Sequence, residues 1–209
     1  MNLHICDKNT AFPFIYVDNL FNADEEILIW KELDFYTNPY ALHRSEDDPY
    51  TSHKEGVPLS KAWRIFLDVT YYKRETSHIL RILPQKLKSS EIKNITEEVG
   101  GALRMYAQTN YDVTMINYYE NSDYYESHRD HFMITSFCWF NREPKAYTGG
   151  NLILTDNETE LECNHNRMVV FPSFYNHKIS PVKMINANET MNGLGRYAII
   201  NFSTYTGQN

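Results

Sequence analysis

A chain of 209 residues with 42% apolar and 22% charged side chains can bury one sizeable core, and no apolar run in it is long enough to cross a bilayer. Lys and Arg total 20 against 27 Asp and Glu, and the resulting net charge of -7 argues against a protein that grips nucleic acid through a general positive field. Three widely spaced cysteines, Cys6, Cys138 and Cys163, and an opening MNLHICDKNT without basic and apolar leader regions predict free thiols in a reducing, cytoplasmic setting.

In chain order, FPFIYVDNLF (Phe12 to Phe21) reads as a short strand and its exit. Asn22 then stands as an N-cap with Glu25 at the reciprocal position of a capping box, so a helix is predicted over Ala23 to Phe35. The polar stretch from Thr37 to Leu59 is predicted as a long loop of the kind that closes over a site. AWRIFLDVTYY, from Ala62, is β-branched and aromatic and is predicted as a strand. From Ser77 to Tyr106 the pattern is helical, with breaks expected at Pro84 and near Gly100.

The second half changes character. DVTMINYY, ITSFCWFN, GNLILTD, TELECN, RMVVFP, HKISPV and RYAIINFS follow one another as short β-like runs between turn-prone stretches. The fold class expected is mainly β with flanking helices. A double-stranded β-helix, or jelly-roll barrel, is expected over 111–206, buttressed by N-terminal α-helices within 1–110, with 1–209 forming a single domain. The 16 tyrosines allow an aromatic-lined groove.

YYESHRDH (Tyr124 to His131) carries the chemistry. A His-x-Asp triplet alone is commonly a solvated turn. On an extended segment, however, His128 and Asp130 share a face and can meet one metal ion, while the adjacent His131 points away. A third ligand must come from elsewhere, and His177 opens another predicted strand after a turn. Two imidazoles and one carboxylate form the facial triad of non-haem Fe(II) oxygenases, which leaves coordination positions open for a bidentate cosubstrate and O2. His165, in ECNHNR, reads as an exposed turn residue, and Tyr125 as packing.

The order of these residues resembles the Fe(II)/2-oxoglutarate-dependent dioxygenases, and most closely their prolyl 4-hydroxylase-like branch. In YENSDYYESHRD, Tyr119, Tyr125, His128 and Asp130 stand at the family's motif positions. Thr135 starts the next strand, Gly149-Gly150 forms the family's Gly-Gly turn, and His177 is followed by Pro181-Val182. Arg196 begins the last strand where the family has a Lys or Arg. The similarity covers about Met115 to Phe202, and FIYVDNLF with its helix resembles the segment that precedes it. Ser122 departs from the family's usual Gly, and the connection between His177 and Arg196 is longer than usual, with glycines at Gly193 and Gly195.

The resemblance implies an enzyme that hydroxylates an unactivated C–H bond, with Fe(II), 2-oxoglutarate and O2, and ascorbate as a reductant. His128, Asp130 and His177 are the implied iron ligands and catalytic residues. Arg196, helped by Tyr119, is the implied clamp for the distal carboxylate of 2-oxoglutarate, with Arg167 and Arg142 as fallbacks. A prolyl residue in a peptide or protein is the implied substrate, with neither nucleic acid nor membrane as partner. Hydroxylation of a free amino acid or other small molecule, and a non-catalytic jelly-roll binding module, are the alternatives. The sequence leaves the oligomeric state open.

Overall fold

The computed structural model describes residues 1–49, 51–188 and 190–207. The N-terminal part begins with the hairpin β1 (Asn2–Cys6) and β2 (Phe14–Asp18), followed by helix α1 (Ala23–Tyr36). Next come β3 (His43–Arg44), a ribbon of β4 (His53–Lys54) and β5 (Val57–Pro58), then β6 (Ser60–Lys61) and β7 (Trp63–Phe66). One helical turn, α2 (Leu67–Thr70), precedes α3 (His78–Leu87) and α4 (Ser90–Val99). The remaining strands are β8 (Tyr111–Tyr119), β9 (Tyr124–His128), β10 (Ile134–Phe140), β11 (Tyr147–Gly149), β12 (Leu152–Leu154) and β13 (Thr159–Leu161). They continue with β14 (Arg167–Pro172), β15 (His177–Ile179), β16 (Val182–Met184) and β17 (Arg196–Thr204).

The strands form the two facing sheets of a double-stranded β-helix. The major sheet has the order β1-β2-β14-β10-β17-β8-β7-β3 and the minor sheet β13-β12-β15-β9-β6. Because side chains alternate along a strand, each major-sheet strand feeds two cores. Ile116, Tyr118, Cys138, Phe140, Tyr197 and Ile199 pack toward α1, α3 and α4. Met115, Tyr119, Phe137, Trp139, Ala198 and Ile200 pack toward the minor sheet. Arg196, two residues before Ala198, therefore enters the space between the sheets.

The capping box of α1 is formed: Glu25 N donates to Asn22 Oδ1 at 3.0 Å and Asn22 N to Glu25 Oε2 at 2.9 Å. Glu32 of α1 is buried and accepts from Ser77 Oγ (2.6 Å) and Ile79 N (2.9 Å), so one helix caps the start of the next. This docking explains why α3 is not broken at Pro84 as expected. A proline in a helix interior costs roughly 3 kcal/mol. Burial of Ile79, Leu80, Ile82, Leu83 and Leu87, at about 1.5–3 kcal/mol each, outweighs it. The break falls instead at Lys88-Ser89, while α4 does end at Gly100, whose φ is 80°.

Other expectations are corrected. The strand read from AWRIFLDVTYY stops at Phe66, because the Asp68 carboxylate accepts from Thr114 N (2.6 Å) and turns the chain into α2. HKISPV divides into β15 and β16, which belong to different sheets. The run GNLILTD starts as a strand only at Leu152, and Gly149-Gly150 form the bend before it. The segment 37–59 is a structured flap rather than a bare loop. β3 pairs with β7 and, just beyond it, β6 pairs with β9, so the flap lies along the strand that carries His128.

Candidate metal centre and cosubstrate pocket

His128 is the last residue of β9, and its direct cross-strand partner is His177, the first residue of β15. Asp130 lies just past the end of β9, not on the strand as expected. Its backbone N donates to Ser173 O (3.0 Å), which turns the carboxylate back toward both imidazoles. His128 Nε2 is 3.6 Å from Asp130 Oδ1, and His177 Nε2 is 3.5 Å from Asp130 Oδ2. The ligand atoms of the three lie within 4.8 Å of one another, a cluster that could hold a metal ion.

The tautomers are fixed by the backbone. His128 Nδ1 is 2.8 Å from Glu126 O, and His177 Nδ1 is 2.9 Å from Tyr175 O. A carbonyl can only accept, so each Nδ1 carries the hydrogen and each Nε2 keeps its lone pair for the centre. Burial pushes the pKa of His177 down to about 4, with His128 adding to the effect and Asp130 opposing it, so the ring is neutral at physiological pH. Asp130 is held below the usual carboxylate range. Burial works against this, but His177, His128 and the hydroxyl of Thr135 together outweigh it. Thr135 Oγ1 donates to Asp130 Oδ2 (2.7 Å) and is itself 2.8 Å from Ser173 Oγ. Tyr125 stacks on the His128 ring, with centroids 3.6 Å apart and planes 11° apart, and fixes its plane. His131 is exposed at the cavity rim.

Arg196 is fully buried, and none of its three side-chain nitrogens has a hydrogen-bond partner among the described residues. Its guanidinium lies over the ring of Tyr119 at 4.7 Å and near that of Trp139 at 6.0 Å. Tyr119, its cross-strand partner, is also fully buried, which raises the hydroxyl pKa to about 12 although Arg196 works the other way. Space for Arg196 depends on Gly150: a Cβ there would stand 2.6 Å from Arg196 Cδ and 3.0 Å from Val182 Cγ2. Gly195 is equally tight, since a Cβ would meet Tyr119 O at 2.4 Å. The fallback cations are engaged elsewhere. Arg167 forks onto Asp18 (2.6 and 3.0 Å), and Arg142 contacts Asp34 and covers Trp30. His165 is not merely exposed; its Nε2 is 2.8 Å from Glu26 Oε2, and its ring stacks on Trp30 to dock α1.

A cavity of about 590 Å3 opens beside the triad. His128 and Asp130 line it together with Phe66, Met115, Phe132, Phe137 and Ile200, and with two polar residues that sequence reasoning did not single out, Arg64 and Asn117. Strand alternation from Tyr119 back to Asn117 and from Phe66 back to Arg64 is the signal that could have found them.

Residues 113–203 match the family model of the 2OG-Fe(II) oxygenase superfamily. The match spans the jelly-roll core, from β8 to β17. The enzyme is therefore a 2-oxoglutarate-dependent dioxygenase, using Fe(II), 2-oxoglutarate and O2. No curated protein sequence matches the chain. Among solved structures, a prolyl-4-hydroxylase from Pseudomonas putida aligns with a TM-score of 0.62 at 16% identity, covering 93% of each chain. A prolyl hydroxylase from Trichoplax adhaerens, solved with a hypoxia inducible factor peptide fragment, aligns at 0.64 and 12%, covering 91% of this chain and 83% of its own. A viral collagen prolyl hydroxylase from Paramecium Bursaria Chlorella virus-1, in a 2OG complex, aligns at 0.52 and 12%, covering 91% and 94%. These likenesses show the fold.

The residues present fit the family's cofactors. His177 Nε2 is a buried acceptor without a partner among the described residues, which a cation would satisfy. The unpaired guanidinium of Arg196 calls for an anion.

Proposed function

We propose that this dioxygenase hydroxylates a prolyl residue in a peptide or protein, with His128, Asp130 and His177 holding one Fe(II). In the same reading Arg196 holds the distal carboxylate of 2-oxoglutarate, and Tyr119 acts as a second donor. Iron, 2-oxoglutarate and O2 together supply C–H hydroxylation, with succinate and CO2 as co-products. The protein's own contribution is placement. Two imidazoles on facing strands and a carboxylate after the first present three ligand atoms on one side, so the other side stays open to the cavity. The backbone carbonyls of Glu126 and Tyr175 and the hydroxyl of Thr135 keep those atoms oriented without a proton between them and the metal. Arg196 offers a planar fork in a dry pocket, where a carboxylate is held more firmly than in water.

The observation that carries this reading is the orphaned guanidinium of Arg196, buried against Tyr119 and Gly150. A non-catalytic jelly-roll would gain stability by replacing a buried, unpaired charge, whereas a cosubstrate pocket requires it. The apolar, open cavity supports a substrate larger than a free amino acid, and a relative of the same fold was solved with a bound peptide fragment. A cytoplasmic site of action fits three free thiols, and no helix among the described residues is long and apolar enough to cross a membrane.

The test is anaerobic titration with Fe(II) and 2-oxoglutarate, followed by incubation in air with prolyl peptides and mass analysis. A metal-to-ligand charge-transfer band with about one iron per chain is expected, as is a gain of one oxygen on proline. Absence of the band in folded protein would refute the oxygenase site. A band without any modified peptide would refute the prolyl assignment alone.

A further inference from the structure

Arg64 and Asn117 are direct cross-strand partners on β7 and β8, and both line the cavity beside the triad. Both are nearly fully buried, with exposures of 3% and 2%. Arg64 Nε donates to Asp48 Oδ2 (2.9 Å) and Nη2 to Thr51 Oγ1 (2.5 Å), so its orientation is set by the flap, and the side chain borders the cavity. Asn117 Nδ2 donates to Tyr119 OH (3.3 Å), while Asn117 Oδ1 has no partner among the described residues. The major-sheet face around them is apolar, with Phe66, Val113, Met115 and Phe137 lining the same cavity. A buried acceptor without a partner, beside a guanidinium that borders the same cavity, is costly unless a ligand satisfies it.

We infer that Arg64 and Asn117 form a subsite for the backbone of the substrate. Asn117 Oδ1 accepts the N–H, and Arg64 donates to the C=O, of one extended, non-prolyl residue next to the proline. In an extended chain these two groups of one residue point to the same side, as they do when two strands exchange both bonds. The chemistry selects against a free amino acid. Arg64 is already neutralised by Asp48, so an incoming carboxylate would face Asp48 and the unpaired oxygen of Asn117. A neutral amide suits the pair, and the surrounding wall suits an aliphatic side chain. The inference rests on the peptidyl reading of the site and names what in the peptide is recognised.

The test uses wild-type protein loaded with Fe(II) and 2-oxoglutarate and kept anaerobic, so that binding is read without turnover. The probe is N-acetyl-Leu-Pro-Leu-Ala amide, with two depsipeptides in which an ester oxygen replaces the N–H of one leucine or the other. One depsipeptide should bind roughly tenfold more weakly than the parent, the loss of one buried hydrogen bond. Asn117→Leu should weaken the parent to a similar extent and erase the difference between parent and depsipeptide, with the affinity for 2-oxoglutarate kept. Equal binding of all three probes by the wild type overturns the inference. So does a failure of the parent to bind at millimolar concentration while the charge-transfer band persists, a result that leaves the oxygenase reading standing. If Asn117→Leu weakens 2-oxoglutarate and spares the peptide, Asn117 belongs to the cosubstrate side and the subsite is refuted. Loss of the band itself would instead count against the oxygenase site.

Discussion

The guanidinium of Arg196 lies 4.7 Å over the ring of Tyr119, its partner across β17 and β8, and both side chains are sealed from solvent. The aromatic face offsets part of the cost of burying the charge, and an anion is needed for the rest. Arg196→Ala should therefore weaken 2-oxoglutarate binding by about 30-fold or more, roughly 2 kcal/mol or above, with iron binding retained. Anaerobic titration of the charge-transfer band measures it, and an affinity within about threefold of the wild type, less than 1 kcal/mol, would place the clamp elsewhere.

The same relationship predicts an opposite effect on stability. Arg196→Met removes an unpaired buried charge and should make the cosubstrate-free protein more stable, by about 1–4 kcal/mol. In the wild type, 2-oxoglutarate at 100 times its Kd should add about 2.7 kcal/mol, and in Arg196→Met almost nothing. Thermal or urea unfolding with and without 2-oxoglutarate tests both statements; a destabilised Arg196→Met would show that the guanidinium supports the fold.

His177 gives a pH dependence with a definite sign. Its folded pKa is lowered from 6.5 to about 4, chiefly by burial. Between those values the unfolded chain binds a proton at this position and the folded chain does not, so stability must fall as pH drops from 6.5 toward 4. The depressed pKa of Asp130 adds its loss only at lower pH, since its stabilisation is present above the ordinary carboxylate value of 3.8. Urea midpoints of metal-free wild type and His177→Phe across this range should show a steeper pH slope for the wild type. Parallel slopes would contradict the assignment.

Gly150→Ala probes the pocket from behind. Its φ of 71° already disfavours a side chain, and the new Cβ would be 2.6 Å from Arg196 Cδ. The variant should lose 2-oxoglutarate affinity while keeping about one bound iron, because no metal-ligating atom is displaced. Equal loss of both would show a general collapse of the barrel.

Cys6 is half-buried, Cys138 and Cys163 are fully buried, and all three are free. The unfolded, non-reduced protein should titrate three thiols, and the folded protein should react at Cys6 first. Burial also raises the thiol pKa values of Cys6 and Cys138, which slows both. A single reactive thiol after unfolding would indicate a disulfide.

What the sequence determined by itself was local. The reciprocal pair Asn22 and Glu25 specifies where α1 starts because the cap bonds join residues three apart. Alternation along RYAIINF puts Arg196, Ala198 and Ile200 on one face, whatever that face meets. The spacing of His128 and Asp130 is local in the same sense, whereas their meeting with His177 depends on the β9–β15 pairing. The turn residue Ser122 shows how far such reading goes. It stands where relatives often carry Gly, and the structure places it at φ 66°, held by Lys61 Nζ on its hydroxyl and by Val182 O on its N–H.

Tertiary structure alone decided the rest. Pro84 was tolerated because docking against α1 outweighed a local penalty that no window of sequence can weigh. Asp130 reaches the centre from beyond the strand because Ser173, 43 positions away by number, holds its backbone. Arg64 and Asn117 lie 53 positions apart and become one subsite only through the β7–β8 register. Arg167 and Arg142 are held by Asp18 and Asp34, 149 and 108 positions away. In each case the deciding interaction joins residues distant in the chain, and periodicity and spacing carry no information about which distant groups will meet.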